Sequence, residues 1–118
     1  MTTVVHCKKS KYDVYIGKPS EYGNPFTHKK DQKTLAHQVV SSKYEAIKKY
    51  RDYLVEHPEK IEDILDLKGK VLGCWRCVKP SIGKSSIRHM HCHGEVIAAL
   101  CNSNARTIHD CIEFLKNL

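Results

Sequence analysis

No stretch of this sequence is apolar for the roughly 18 residues that a helix needs to cross a bilayer. Its opening, Met1-Thr2-Thr3-Val4-Val5-His6-Cys7-Lys8-Lys9, lacks both the apolar run and the small-residue cleavage site of a secretory signal. The expectation is a soluble, cytoplasmic chain with no membrane partner. Without a secretion signal, the six cysteines read as reduced thiols or metal ligands and not as a disulfide framework. Cys101 and Cys111 fall inside apolar helical stripes and are expected to be small core residues. Internal repeats, low-complexity tracts and long linkers are also missing. A chain of 118 residues with 41% hydrophobic content then reads as one domain, 1–118, able to bury a core.

Acidic residues are absent from one region. Residues 67–93 hold six Lys/Arg and no Asp/Glu, and residues 1–38 hold seven against three, so the net charge of +7 belongs to these loop-rich parts. A basic surface confined to loops attracts anions, either a phosphate-bearing small molecule or a nucleic-acid backbone. Within it, Gly83-Lys84-Ser85 resembles the end of a phosphate-binding P-loop. Val78 stands where that motif needs glycine, and no helix pattern follows, so the segment reads as a mobile basic loop.

Two short strands are expected at Thr3 to Cys7 and at Asp13 to Gly17, followed by a turn-rich cluster to Phe26. Residues 27–39 show no clear period. Ser42-Lys43-Tyr44-Glu45 matches a capping box, with Tyr44, Ile47, Tyr50 and Leu54 at helical spacing. Pro58 suits the first turn of a second helix with Ile61, Ile64 and Leu65 inward and Gly69 as its stop. The apolar run Val71-Leu72-Gly73-Cys74 predicts a buried central strand. His93 or Gly94 opens a helix with Val96, Ile97 and Leu100 inward, and Thr107 to Asp110 caps a last helix at about 107–117. The fold class is α/β or α+β: a single-layer sheet of about three strands packed with about four helices. Cys74 then ends a strand, on the edge where α/β sheets bind ligands.

The strongest chemical signal lies there: Cys74-Trp75-Arg76-Cys77, then His89-Met90-His91-Cys92-His93. Cys-x-x-Cys brings two thiolates to one ion, and a second Cys/His pair can complete a tetrahedron. Zinc is the metal this set would hold, on Cys74, Cys77, Cys92 and His93 with His89 or His91 as substitutes. The same residues could act on a substrate directly. Cys92, at a helix start and flanked by histidines, has the surroundings of a nucleophile, with His93 beside it. Glu95 could serve as a general base, a ribose-hydroxyl acceptor, or only a partner of the helix dipole. Amides at Gly94 and Glu95 could hold a phosphate. His6 and Cys7 lack partners at ligand spacing, but would approach the cluster if their strand lay beside Val71 to Cys74.

The turn Gly23-Asn24-Pro25-Phe26 is the second informative feature, rigid enough to present the Asn24 amide to a ligand. The run Val14 to Phe26, with Gly17-Lys18-Pro19-Ser20 in it, then Glu45 to Arg51, Leu72 to Trp75 and Cys92 to Ile97, resembles the family called domain of unknown function 4326. That family is found in bacteriophages, large viruses and bacteria. The resemblance runs from about residue 4 to residue 102. Members read Gly-Arg-Pro-Ser-Lys-Trp-Gly-Asn-Pro-Phe and Gly-Cys-Trp-Cys followed closely by Cys-His-Gly-Asp. Here Lys18 replaces Arg, Tyr22 replaces Trp, Arg76 separates Trp75 from Cys77, and Glu95 replaces Asp.

The family carries no mechanism to transfer. What the resemblance implies is that the Asn24 turn and the Cys/His segment form one site, with Lys18, Asn24, Pro25, Trp75 and Gly94 contacting a ligand, in the host cytosol if the protein is viral. A nucleotide-like or other phosphate-bearing anion is the favoured ligand, bound or hydrolysed. The alternatives are a zinc-stabilised nucleic-acid-binding module that uses Lys79, Lys84 and Arg88, and a host-factor interaction protein.

Overall fold

Three strands pair in parallel in the order β1 (Thr3–His6), β5 (Val71–Cys74), β2 (Val14–Tyr15), so the Val71 strand is central as its composition predicts. The computed structural model describes residues 1–17, 20, 22–23, 26–27, 38–39, 42–75, 77 and 79–118. A separate parallel pair joins β3 (Phe26–Thr27) to β4 (Gln38–Val39), in a stretch where the sequence shows no period. Two residues per strand are too few to display one. Among the described residues there are four α-helices: α1 (Lys43–Glu56), α2 (Pro58–Leu65), α3 (His93–Asn102) and α4 (Ile108–Lys116).

Helix boundaries follow local chemistry. Ser42 Oγ accepts the Glu45 amide at 3.1 Å, Pro58 occupies the first turn of α2, and Thr107 with Asp110 forms a full capping box on α4. Gly69, just beyond α2, takes φ +80°, a conformation that disfavours any side chain.

Nearly every side of α3 is covered. Val96, Ile97, Ala98 and Leu100 are fully buried, and Leu72, Val4 and Ile16 bring the sheet against them. A helix apolar all round belongs in the middle of a core. On α1, Ile47, Tyr50 and Leu54 point inward as their spacing predicts, whereas Tyr44, on the first turn, is exposed. Among the described residues no helix is long and apolar enough to cross a membrane.

Cys101 and Cys111 are core residues, as expected. Burial pushes the Cys101 thiol up to about 11 and raises Cys111, and it raises the Tyr50 phenol well above its usual range. All three fold as neutral groups, while the unfolded chain ionises them near 9.0 for the thiols and 10.0 for the phenol. Their contribution is therefore complete below pH 9 and is lost as pH rises through 9 towards 11. Thermal melts under reducing conditions should show Tm falling over that window, with a smaller fall in Cys101→Ala. A Tm that stayed level to pH 11 would contradict this.

Candidate functional site

Parallel pairing brings three strand ends to one edge. His6 lies opposite Cys74 and Tyr15 opposite Gly73, while the Cys7 amide donates to Cys74 O at 3.1 Å and the Ile16 amide to Gly73 O at 2.9 Å. Trp75 leaves the central strand between them and is 52% exposed. The His6 ring meets it edge-on at 5.9 Å, Lys8 Nζ stands 5.2 Å from its centroid, and the indole N–H bonds the Tyr15 hydroxyl. The Lys8 amide donates to His6 Nδ1 at 3.0 Å, which places the proton of the neutral ring on Nε2.

Tyr12 extends this surface. Its ring covers Gly73 so closely that a Cβ there would sit 2.7 Å from Tyr12 Cγ. It tilts against Tyr15 at 6.4 Å and is itself exposed. Desolvation raises the Tyr15 phenol, and the indole hydrogen bond opposes that rise. The edge thus presents two exposed aromatic faces with a lysine over one of them. Sequence reasoning identified Trp75 but passed over His6, Lys8, Tyr12 and Tyr15. The signal was the condition attached to His6 and Cys7, that their strand lie beside Val71 to Cys74, and it does.

Behind Trp75 the thiols gather. Cys74, Cys77 and Cys92 are each 2% exposed, and the Cys77 thiol lies 3.3 Å from Val4 O and 2.9 Å from Lys79 O. Hydrogen bonding from Cys92 lowers Cys77, whereas the Cys74 and Cys77 contacts, followed by desolvation, push Cys92 well up. Among the described residues no group of three or more His, Cys, Asp or Glu side chains is set to hold a metal ion.

Of the four ligands named for zinc, the structure brings together these three cysteines. His93 Nε2 is 2.8 Å from Ile16 O, and its ring packs edge-on against Tyr50 at 5.0 Å, where the Tyr50 hydroxyl donates to Tyr22 O at 3.1 Å. His93 thereby ties α3 to Ile16 and to Tyr50 of α1, and Tyr50 in turn holds Tyr22. Lys18, Asn24 and Pro25 lie outside the described residues. His89 and His91 are exposed.

Gly94 serves packing where the sequence suggested phosphate contact. A Cβ on it would lie 2.7 Å from both Ile16 Cδ1 and Val4 Cγ2, so the glycine lets α3 press against the sheet. The Glu95 amide, the other group expected to hold a phosphate, donates to Cys92 O at 3.1 Å. Glu95 is 2% exposed, and its carboxylate accepts the His91 amide at 2.7 Å and the Ser81 hydroxyl at 2.9 Å, with Lys84 Nζ at 3.9 Å. It works as an internal clamp.

The basic loop expected to be mobile is fastened at several points. Ser81 exchanges backbone hydrogen bonds with Val4 along the free side of β1, Asn102 Nδ2 donates to Ile82 O at 2.9 Å, and Ile87 and Met90 are buried. Lys79, Lys84 and Arg88 remain on its outside.

Fold and edge together define a small α/β domain with an aromatic, basic carboxyl edge backed by buried thiols. The family model described as Domain of unknown function (DUF4326) matches residues 5–103, and the chain belongs to that family. Neither a curated protein nor a solved structure matches it.

Proposed function

We propose that this protein binds a phosphate-bearing, nucleotide-like ligand at the carboxyl edge of its sheet, with the base stacked on Trp75. The observation that carries this reading is Trp75 itself: a half-exposed indole on the central strand end, its ring held by His6, Tyr15 and Lys8. Open α/β sheets bind ligands at this edge, and exposed indoles held in place offer a stacking face to any base. Lys8 with Lys9 and Lys11 in the same stretch supplies charge for the phosphate.

The chain has one tryptophan, so intrinsic fluorescence reports directly on the edge. Titration with purine mononucleotides should quench it, and inorganic phosphate alone should not. Replacing Trp75 by Ala should weaken binding, followed by calorimetry, about five- to 150-fold, the equivalent of about 1–3 kcal/mol for one stacked base. Absence of quenching by mononucleotides, together with steeply salt-dependent binding of single-stranded oligonucleotides, would replace this reading with a nucleic-acid module.

A further inference from the structure

A second aromatic face lies close to Trp75. A Cβ on Gly73 would meet Tyr12 Cγ, Cδ1 and Cδ2 at 2.7, 2.8 and 3.0 Å, nearly equal distances that mark a point above the flat of the ring. One face of Tyr12 therefore rests on the central strand, and glycine at 73 is what lets it lie so low. With Tyr12 42% exposed, its other face is turned outward.

Between the two rings the chain carries positive charge. β1 and β2 run parallel on either side of β5, so residues 7–13 must cross β5 on their way from the end of one strand to the start of the other. The crossing is pinned at its start, where the Lys9 and Ser10 amides donate to His6 O at 3.0 and 3.1 Å and the Lys8 amide to His6 Nδ1. Asp13 pins its end: the Asp13 amide donates to Val71 O at 2.7 Å, and its carboxylate accepts the Val71 amide at 2.8 Å. The one acidic group of the segment is thus bonded to the backbone of β5. Lys8, Lys9, Lys11 and Tyr12 are all exposed, and they trace a path from Trp75, over which Lys8 Nζ stands, to the Tyr12 ring.

Gly73 and Trp75 are two residues apart on one chain, about 7 Å at the rise of a strand. Stacked neighbours in a nucleic-acid strand are only about 3.4 Å apart. Two linked bases therefore match this spacing when they are unstacked from each other and each lies on its own ring, the arrangement by which aromatic platforms hold single strands.

We propose that the ligand of this edge is a dinucleotide, two nucleotides joined by a phosphodiester. One base lies on Trp75, the other on Tyr12, and the linking phosphate lies against the lysines of residues 8–11. This rests on the stacking role given to Trp75 above and adds to it the second base, its ring and the linkage.

Calorimetry on the full wild-type chain tests it by comparing AMP with the 5′-phosphorylated dinucleotide pApA at one salt concentration. The second stacked base should tighten binding about tenfold or more. Tyr12→Ala should bring the two affinities within about twofold of each other, and Tyr12→Phe, which keeps the ring, should retain the gap. A longer oligoadenylate should gain little beyond its number of overlapping registers; a larger gain with a steep salt dependence would overturn the proposal in favour of a nucleic-acid track. Equal binding of AMP and pApA to wild-type protein also overturns it, and leaves the reading of Trp75 standing. So does an advantage of pApA that survives in Tyr12→Ala, since the second base then rests elsewhere. If neither ligand binds or quenches Trp75, both readings fall together. The wild-type comparison decides the matter even where Tyr12→Ala, which uncovers Gly73, does not fold.

Discussion

Gly83→Ala should cost this protein about 2–5 kcal/mol of stability, more than alanine at Gly69, where there is space for a side chain. Two effects combine. Gly83 has φ +98°, a strained conformation for any side chain, and a Cβ there would lie 2.6 Å from the backbone nitrogen of Ala99. Backbone inside a buried helix cannot give way as a side-chain tip can, so the clash adds overpacking of about 1–3 kcal/mol to a strain of about 1–2 kcal/mol. Gly69→Ala separates the terms: φ is +80° and nothing lies within 4 Å. Urea denaturation of both variants should therefore show Gly83→Ala losing clearly more than Gly69→Ala. Equal losses would mean that the loop does not rest against α3.

The second large effect is expected at Glu95. Glu95→Ala removes the acceptor of two part-buried charge-assisted hydrogen bonds, from the His91 amide and the Ser81 hydroxyl, and should cost about 3 kcal/mol, the low end of about 1.5–3 kcal/mol each. The Lys84 contact adds little, since that ammonium is 42% exposed at 3.9 Å. Glu95→Gln should keep about half of the stability lost by alanine. One oxygen remains for the His91 amide, and the Ser81 hydroxyl can rotate to accept from the new amide group. The loosened part is local: tryptic cleavage after Lys84 and Arg88 should speed up in Glu95→Ala before the sheet unfolds. Unchanged cleavage with a large loss of global stability would place the role of Glu95 elsewhere.

Legibility in the sequence tracked the range of the interaction. Caps at Ser42 and Thr107, Pro58 at the start of α2 and the apolar run of β5 act within a few residues, and each was readable. The central position of β5 followed from its being apolar throughout. The carboxyl edge was readable for Trp75 but not for His6, Lys8, Tyr12 and Tyr15, which come to it only because β1 and β2 flank β5. The packing of Gly94 and Glu95 was not legible for a related reason. A helix start looks alike in sequence whether it faces solvent or a sheet, and Val4, Ile16 and Ser81, which decide the matter, are distant along the chain.

All the pairing in the main sheet is parallel and distant: Thr3 meets Val71 and Val14 meets Leu72. Among the described residues β1 and β2 pair in the sheet only with β5, so both strands depend on a partner far along the chain, whereas α1 and α2 form from local contacts. Closing such loops is slow relative to helix formation. The sheet therefore assembles late and nearly at once, around residues 71–74, the strand whose end carries Trp75 and Cys74.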